Sequence, residues 1–195
     1  MIVVKLGGSL AESDALIKCL NSVEQNYQRG EIVIVPGGGA FADQVRLAQQ
    51  HWQFDDQTAH KMAILAMQQM ALLFKGLKSH FAIAGSLTDI HQQLDQQKIV
   101  IWSPDIIELD NAGIQATWDI TSDSLAAWLA KILSARELIL VKSAIIDPEL
   151  SLQELAGLNV VDIAFCDFIA HSSFKINIVN AIEIFSTDMG PLPLS

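Results

Sequence analysis

Two short apolar runs near the start of the chain each end in consecutive glycines, and this feature restricts the fold more than any other. The first run, 2–6, is rich in β-branched residues and stops at Gly-Gly; the second, 31–35, leads into Pro-Gly-Gly-Gly. Between them, apolar residues over 13–29 have helical spacing. This order is typical of a βαβ unit in a parallel sheet. Both glycine turns are then expected at the carboxyl edge of the sheet, where ligands bind in α/β proteins.

The alternation of strand and helix patterns continues along the chain. Apolar stripes predict a long helix over 55–78 and a second helix over 122–135. Further strands are expected at 80–84, 98–102, 137–141 and 175–179. The pattern predicts a three-layer α/β/α sandwich around a mostly parallel sheet, formed by a single domain over 1–195, with an irregular tail at 190–193.

The composition favours a globular protein and restricts its partners. The chain is 51% hydrophobic and 17% charged, which is typical of a protein with a large buried core. Its formal net charge of −10 disfavours binding to nucleic acid and to anionic membrane surfaces. A small phosphorylated ligand is still compatible with that charge, because backbone N–H donors and a few basic groups can hold it locally.

The missing targeting patterns and the two cysteines indicate the expected compartment of the protein and the redox state of its thiols. It has no signal-peptide pattern and no apolar run of about 18 residues, so we expect a cytoplasmic protein. Cys19 and Cys166 fit neither a metal-ligand spacing nor a disulfide framework. We interpret both as reduced core residues.

The glycine turns suit the binding of phosphate groups. Glycine lets backbone N–H donors approach a phosphate closely, and Lys5, two residues before the first glycine, is expected to point towards the same ligand. Tight turns after strands also use glycine for purely structural reasons, and a lysine at a strand end can be structural too. The sequence contains neither a GxxxxGKS/T loop nor a GxGxxG fingerprint, which excludes two common nucleotide-binding motifs.

A polar cluster heads the second predicted helix. Thr121 and Ser122 are candidate helix caps and, alternatively, candidate ligands of a substrate. Asp123 is a candidate for organising phosphate-binding lysines, and Lys142, at the end of a predicted strand, is its expected partner. Phosphoryl transfer depends mostly on positioning and on neutralising charge on the phosphoryl oxygens, which two lysines and glycine N–H groups can provide.

The motifs taken together resemble the amino-acid kinase superfamily, which includes acetylglutamate, aspartate, uridylate and isopentenyl phosphate kinases. The motifs are K-x-G-G-S at 5–9, P-G-G-G at 36–39 and T-S-D-S-L-A-A at 121–127, followed by Lys142 and Asp147. Their order extends over most of the chain. The resemblance implies an α/β/α kinase fold and ATP as the phosphate donor.

The resemblance also implies a role for each motif residue. Lys5 and Lys142 bind phosphate, and Asp123 organises the lysines. The expected ligands of the nucleotide and of the transferred phosphate are Gly7, Gly8, Ser9, Gly37, Gly38, Gly39 and Asp147. In uridylate kinase-like members the last of these belongs to a K-x-x-x-x-D-G pattern, whereas this chain has Pro148 in the glycine position.

Within the superfamily, the segment 118–130 is most similar to the small kinases of methanofuran biosynthesis, which convert an aminomethylfuran methyl phosphate to its diphosphate. This similarity implies a phosphorylated small-molecule acceptor and a place in one-carbon metabolism. Magnesium is expected to be held by the nucleotide and water rather than by a dedicated protein site. Candidate acceptor ligands are His60, Asp43, Thr121 and Ser122, with Arg46 as a further candidate.

Three further expectations concern the whole protein. Only a short segment follows Asp147, so the nucleotide-binding half is expected to be shortened. The predicted helix over 55–74 carries enough apolar surface for a homodimer or larger homo-oligomer. Two alternative functions are a kinase of a small carboxylate, which would form an acyl phosphate, and an inactive nucleotide-binding regulatory module.

Overall fold

The computed structural model describes residues 1–27 and 30–182 and contains a six-stranded parallel sheet between layers of helices. The strands are β1 (Ile2–Leu6), β2 (Ile32–Pro36), β3 (Ala82–Ala84), β4 (Val100–Trp102), β5 (Glu137–Lys142) and β6 (Lys175–Asn180). The helices are α1 (Ala15–Asn26), α2 (Gly39–Trp52), α3 (Asp56–Leu77), α4 (Leu87–Asp95), α5 (Ile106–Asn111), α6 (Ser122–Ile132), α7 (Leu152–Gly157) and α8 (Phe165–Ile169), with a short 3₁₀ helix at Gly8–Glu12.

The order of the strands places a crevice at the carboxyl ends of β1 and β5. Across the sheet the order is β3-β4-β2-β1-β5-β6, and every neighbouring pair is parallel. From β1 the chain continues to β2 on one side, and from β5 it continues to β6 on the other. Such a reversal of direction leaves a space beyond the strand ends, which is where open α/β sheets bind ligands.

Alternating side chains of the strands build a hydrophobic core on each face of the sheet. On β1, Ile2, Val4 and Leu6 pack with α1 and with the second half of α3. Val3 points to the opposite face, where the core also contains residues of α4 to α8. The predicted three-layer α/β/α architecture with a parallel sheet is therefore confirmed.

The predicted elements are present with shifts of a few residues at their ends, but several helices were not predicted. All six expected strands occur, and the two predicted long helices correspond to α3 and α6. The helices α2, α4, α5, α7 and α8 were missed. The predicted tail at 190–193 lies outside the described residues.

Two findings concern the expectations about cysteine and membranes. Cys19 is buried, as predicted, but Cys166 is partly exposed, because it lies on the short helix α8 next to buried Phe165 rather than in the core itself. No helix within the described ranges is long and apolar enough to cross a membrane.

Candidate active site

Two lysines from neighbouring strands meet one carboxylate at the carboxyl edge of the sheet. Lys5 Nζ lies 2.7 Å from Oδ1 of Asp123, and Lys142 Nζ donates a hydrogen bond of 2.5 Å to Oδ2 of the same residue. Lys5 lies near the end of β1, Lys142 ends β5, and Asp123 is in the first turn of α6. Each of the three residues is at most 9% exposed. We refer to them as the lysine–aspartate cluster.

Burial and charge set the protonation of this cluster. Burial alone would raise the pKa of Asp123, but the charges of Lys5 and Lys142 outweigh it and hold that pKa below its ordinary value. Burial, assisted by the charge of Lys5, lowers the pKa of Lys142 to about 8. Near pH 7 Asp123 is therefore ionised and Lys142 is mainly protonated; with Lys5 as the second basic group, the cluster has an excess of positive charge that attracts an anion.

The two glycine turns pack against each other so closely that side chains are excluded. A Cβ atom on Gly8 would lie 2.2 Å from the backbone nitrogen of Gly39, and one on Gly37 would lie 2.5 Å from the nitrogen of Gly8. Gly39 has a φ of +54°, which an L side chain rarely adopts. Glycine at these positions is required by the contact between the loops, whether or not a ligand is bound.

Not all of the glycine amides are available to a phosphate. The N–H of Gly7 donates to the carbonyl of Val141 at 3.0 Å, and that of Gly37 donates to the carbonyl of Leu6 at 2.9 Å. These two amides therefore extend the ladder of the sheet. The first N–H groups of a helix have no partner within that helix, so the starts of the 3₁₀ helix and of α2, at Gly8 and Gly39, provide the donors for a ligand.

A cavity of about 250 Å³ opens beside the glycine turns. Its walls come from both turns, from α2 and α3, and from the chain before and at the start of α6. The predicted site residues that line it are Gly8, Ser9, Gly37, Gly38, Gly39, Asp43, Arg46, His60, Thr121 and Ser122. Lys5, Gly7, Asp123, Lys142 and Asp147 are not part of this lining.

His60 is the buried titratable group of the cavity wall. It lies on α3 and is 8% exposed. Burial lowers the pKa of His60, and the backbone of Thr117 and the charge of Asp110 oppose this effect only in part. The imidazole is therefore mainly neutral near pH 7, and it can form a hydrogen bond with a ligand without adding charge to the cavity.

Comparison with known proteins identifies the family. Residues 1–144 match the sequence profile of the amino acid kinase family. The chain belongs to that family. It is also 34% identical over 142 residues to the (5-(aminomethyl)furan-3-yl)methyl phosphate kinase of Methanocaldococcus jannaschii, a match that covers 72% of this chain and 64% of the archaeal protein. The chain thus matches less than two thirds of the length of that relative.

Solved structures of two other kinases have the same fold. The uridylate kinase of Archaeoglobus fulgidus superposes with a TM-score of 0.69 at 19% identity, covering 94% of this chain and 93% of that chain. The aspartate kinase of Synechocystis superposes with a TM-score of 0.68 at 15% identity, covering 93% of this chain and 38% of that chain. These similarities support the α/β/α fold.

Asp147, which the resemblance to the uridylate kinase-like pattern implied to lie near the nucleotide, is exposed. Its Oδ1 accepts a hydrogen bond of 3.0 Å from the backbone N–H of Glu149, so the side chain closes a local turn. The start of the loop before it is held in place: Nδ2 of Asn180 donates to the carbonyl of Ala144 at 2.6 Å, and Oγ of Ser143 lies 2.8 Å from Oγ of Ser9. Ser9 thus connects the first glycine turn to the segment after Lys142.

The sequence did not indicate Asp162, which caps the helix that contains Asp123. Oδ2 of Asp162 accepts hydrogen bonds from the backbone N–H of Thr121 at 2.8 Å, from its hydroxyl at 2.8 Å and from the N–H of Ser124 at 3.0 Å. The hydroxyl of Ser124 donates to Oδ1. Thr121 occupies the N-cap position, but its side chain does not cap the helix. A carboxylate from a distant segment takes that role and satisfies the helix dipole.

Metal ligands are the remaining component of a kinase site. Within residues 1–27 and 30–182, no group of three or more His, Cys, Asp and Glu side chains is arranged to hold a metal ion.

Proposed function

We propose that this protein is an ATP-dependent phosphotransferase. The observation that supports this function most strongly is the buried lysine–aspartate cluster, which has an excess positive charge and lies at the same sheet edge as two interlocked glycine turns. Phosphoryl transfer needs fixed positive charge and N–H donors around the transferred group more than it needs covalent chemistry. Lys5 and Lys142 would neutralise the phosphoryl oxygens while Asp123 fixes the position of both ammonium groups.

We propose a phosphorylated small molecule, (5-(aminomethyl)furan-3-yl)methyl phosphate, as the acceptor, with a role in the biosynthesis of a methanofuran-type cofactor. An oxygen of the acceptor phosphate bonds to the γ-phosphorus of ATP, the bond from that phosphorus to the bridging oxygen breaks, and ADP leaves with the electron pair. Phosphate monoesters have a second pKa of about 6, so the attacking oxygen is already ionised near neutral pH and needs no general base. Mg²⁺, when bound by the phosphates of the nucleotide, would neutralise further charge.

The size and the polar groups of the cavity are consistent with a small acceptor. Its volume of about 250 Å³ is at or below the lower end of ligand pockets, which begin at roughly 300 Å³. Neutral His60, the carboxylate of Asp43 and the hydroxyl groups of Thr121 and Ser122 supply hydrogen-bonding groups along its wall. These four residues are the proposed ligands of the acceptor.

The proposed function is tested by ADP release from purified protein with ATP and Mg²⁺, with and without the furan phosphate. We expect acceptor-dependent ADP release that falls by about 10²- to 10³-fold in Lys5→Ala, because a charge that stabilises the transferred group is lost. Lys131→Ala, which removes an exposed lysine in the last turn of α6, is the control and should retain the wild-type rate.

Three other outcomes would contradict the proposal in different ways. Turnover with acetylglutamate or aspartate, but not with the furan phosphate, would indicate a carboxylate kinase. ATP binding without turnover of any acceptor would indicate an inactive nucleotide-binding module. A wild-type rate in Lys5→Ala would exclude the lysine–aspartate cluster from the reaction.

We also propose that the protein is a homodimer or a larger homo-oligomer. Leu65 and Leu72 lie seven residues apart on the same side of α3. Exposed apolar side chains of α2 and α3, between 40% and 64% exposed, are Phe41, Leu47, Leu65, Leu72, Leu73 and Leu77. Light scattering at micromolar concentration is expected to give at least twice the mass of one chain, and a monodisperse monomer would contradict the proposal.

A further inference from the structure

One wall of the cavity is a stacked pair made by an arginine and a tryptophan. The guanidinium carbon of Arg46, on α2, lies 3.8 Å from the centroid of the Trp118 ring, which belongs to the segment between α5 and α6. Both residues line the cavity beside the glycine turns. They are separated by most of the sequence between the second glycine turn and Asp123, so only the fold brings them together. We refer to them as the Arg46–Trp118 pair.

A chain of hydrogen bonds fixes the orientation of the tryptophan. Nε1 of Trp118 donates to Oε1 of Gln49 at 2.7 Å. The amide nitrogen of Gln49 donates in turn to Oδ1 of Asp56 at 2.8 Å and to the carbonyl of Phe54 at 3.2 Å. Because an indole N–H can only donate, this network also fixes which end of the Gln49 amide faces the ring. The ring is therefore held to α2 one turn beyond Arg46.

The contact with the ring restrains the guanidinium and leaves its N–H groups available. Within the described part of the chain, the Arg46 side chain makes no ion pair and no hydrogen bond, and its guanidinium lies over the face of Trp118. Arginine presents its donors in a planar fork that matches the oxygens of a phosphate, and a fork held in place loses less conformational entropy when it binds.

The charges around the cavity explain why an anionic acceptor needs this group. Glu12 and Asp43 also line the cavity and bring negative charge to it, His60 is mainly neutral, and Lys5 and Lys142 are buried against Asp123 outside the lining. Among the lining residues, all of which the structure describes, Arg46 is the one with a permanent positive charge. A phosphate dianion that enters this cavity therefore finds a single fixed cation on its walls.

We infer that Arg46 binds the phosphate of the acceptor, and that Trp118 and Gln49 are positioning residues that hold the guanidinium in place for this contact. Arg46 lies two turns after Gly39 on α2 and lines the same cavity as the glycine turns, at which transfer would occur. This inference rests on the proposed function in one respect, namely that the acceptor carries a phosphate. It assigns the specificity for that phosphate to a group outside the lysine–aspartate cluster.

The test compares two ligands, the furan phosphate and the corresponding furan alcohol, by isothermal titration of the whole protein. We expect the wild type to bind the phosphate more tightly than the alcohol. Arg46→Gln is expected to weaken binding of the phosphate by about 10- to 100-fold, as for the loss of a charged hydrogen bond, and to leave binding of the alcohol within about twofold. A ratio between two ligands is insensitive to a general loss of folded protein.

The tryptophan is tested with a graded pair of variants. Trp118→Leu removes the stacking face and should reduce the phosphate-to-alcohol ratio by about threefold, whereas Trp118→Phe keeps an aromatic face and should retain more of it. In turnover assays, Arg46→Gln and Trp118→Leu should raise the KM of the acceptor and leave the KM of ATP unchanged. A purely structural role of Trp118 would not separate the two KM values.

Matched controls remove the same chemical groups elsewhere. Arg136→Gln removes a 57% exposed guanidinium that pairs with Glu31 at the amino edge of the sheet, and Trp52→Leu removes a 74% exposed ring at the end of α2. Neither should change the ratio. An unchanged ratio in Arg46→Gln, or a wild type that does not distinguish phosphate from alcohol, would overturn the inference. A wild type that makes the distinction through Arg46 but releases no ADP would contradict the proposed kinase function and leave the role of Arg46 intact.

Discussion

Replacing Asp123 by asparagine is expected to lower the free energy of unfolding by about 3–5 kcal/mol, because it leaves two buried ammonium groups without their common carboxylate. The variant keeps the shape of the side chain, so the loss reports charge rather than packing. Phosphoryl transfer should fall by about 10²- to 10³-fold, since neither lysine is then held in place. Urea unfolding at pH 7 and ADP release measure the two effects.

A second substitution separates the effect of charge repulsion on stability from the loss of catalytic activity. Lys142→Met added to Asp123→Asn removes one of the two repelling charges, so stability should partly recover while activity stays lost. Glu31→Gln, which breaks the exposed pair with Arg136, is the control and should change stability by less than about 1 kcal/mol. An unchanged unfolding free energy in Asp123→Asn would contradict a charged lysine–aspartate cluster.

The sheet and its long helices were predictable because their patterns are local. Buried parallel strands such as β1 and β2 appear as continuous apolar runs, and α3 has an apolar stripe over many turns. The missed helix α2 gives no such signal, since Val45 is its one buried residue. For α4 the signal was present: Ser86 caps the N–H of Asp89, and Ile90 and Leu94 are buried one turn apart.

The candidate site was predictable only where its residues belong to strand ends and motifs. Lys5, Asp123 and Lys142 were expected to meet, and the structure places them in contact. Asp162 caps α6 from beyond the next strand and carries no local pattern that could reveal it. The Arg46–Trp118 pair likewise depends on how the segment before α6 folds back over α2. Contacts of this kind follow from tertiary structure and not from periodicity.

Glycine in the two turns permits their close contact and also leaves backbone N–H donors accessible to a ligand. A side chain added to one turn is therefore expected to displace the other. Gly8→Ala is expected to lower kcat/KM for ATP by at least about 10²-fold, because its Cβ would lie 2.2 Å from the nitrogen and 2.5 Å from the Cα of Gly39. Both of these atoms belong to the backbone, so the whole second turn must move. A displacement of about 1 Å at a reacting centre is enough for a loss of this size.

Gly8→Ala is expected to lower the free energy of unfolding by only about 1–3 kcal/mol, because overpacking can be relieved by moving the turn away from its neighbour. Gly76→Ala is the matched control: it adds the same methyl group near the end of α3, where no atom beyond the adjacent backbone of the helix itself lies within 4 Å. It should retain full activity and stabilise the protein by up to about 1 kcal/mol, since alanine favours the helix. Wild-type kcat/KM in Gly8→Ala would mean that the turns can separate without cost, and that the close contact of Gly8 with Gly39 does not position the phosphates.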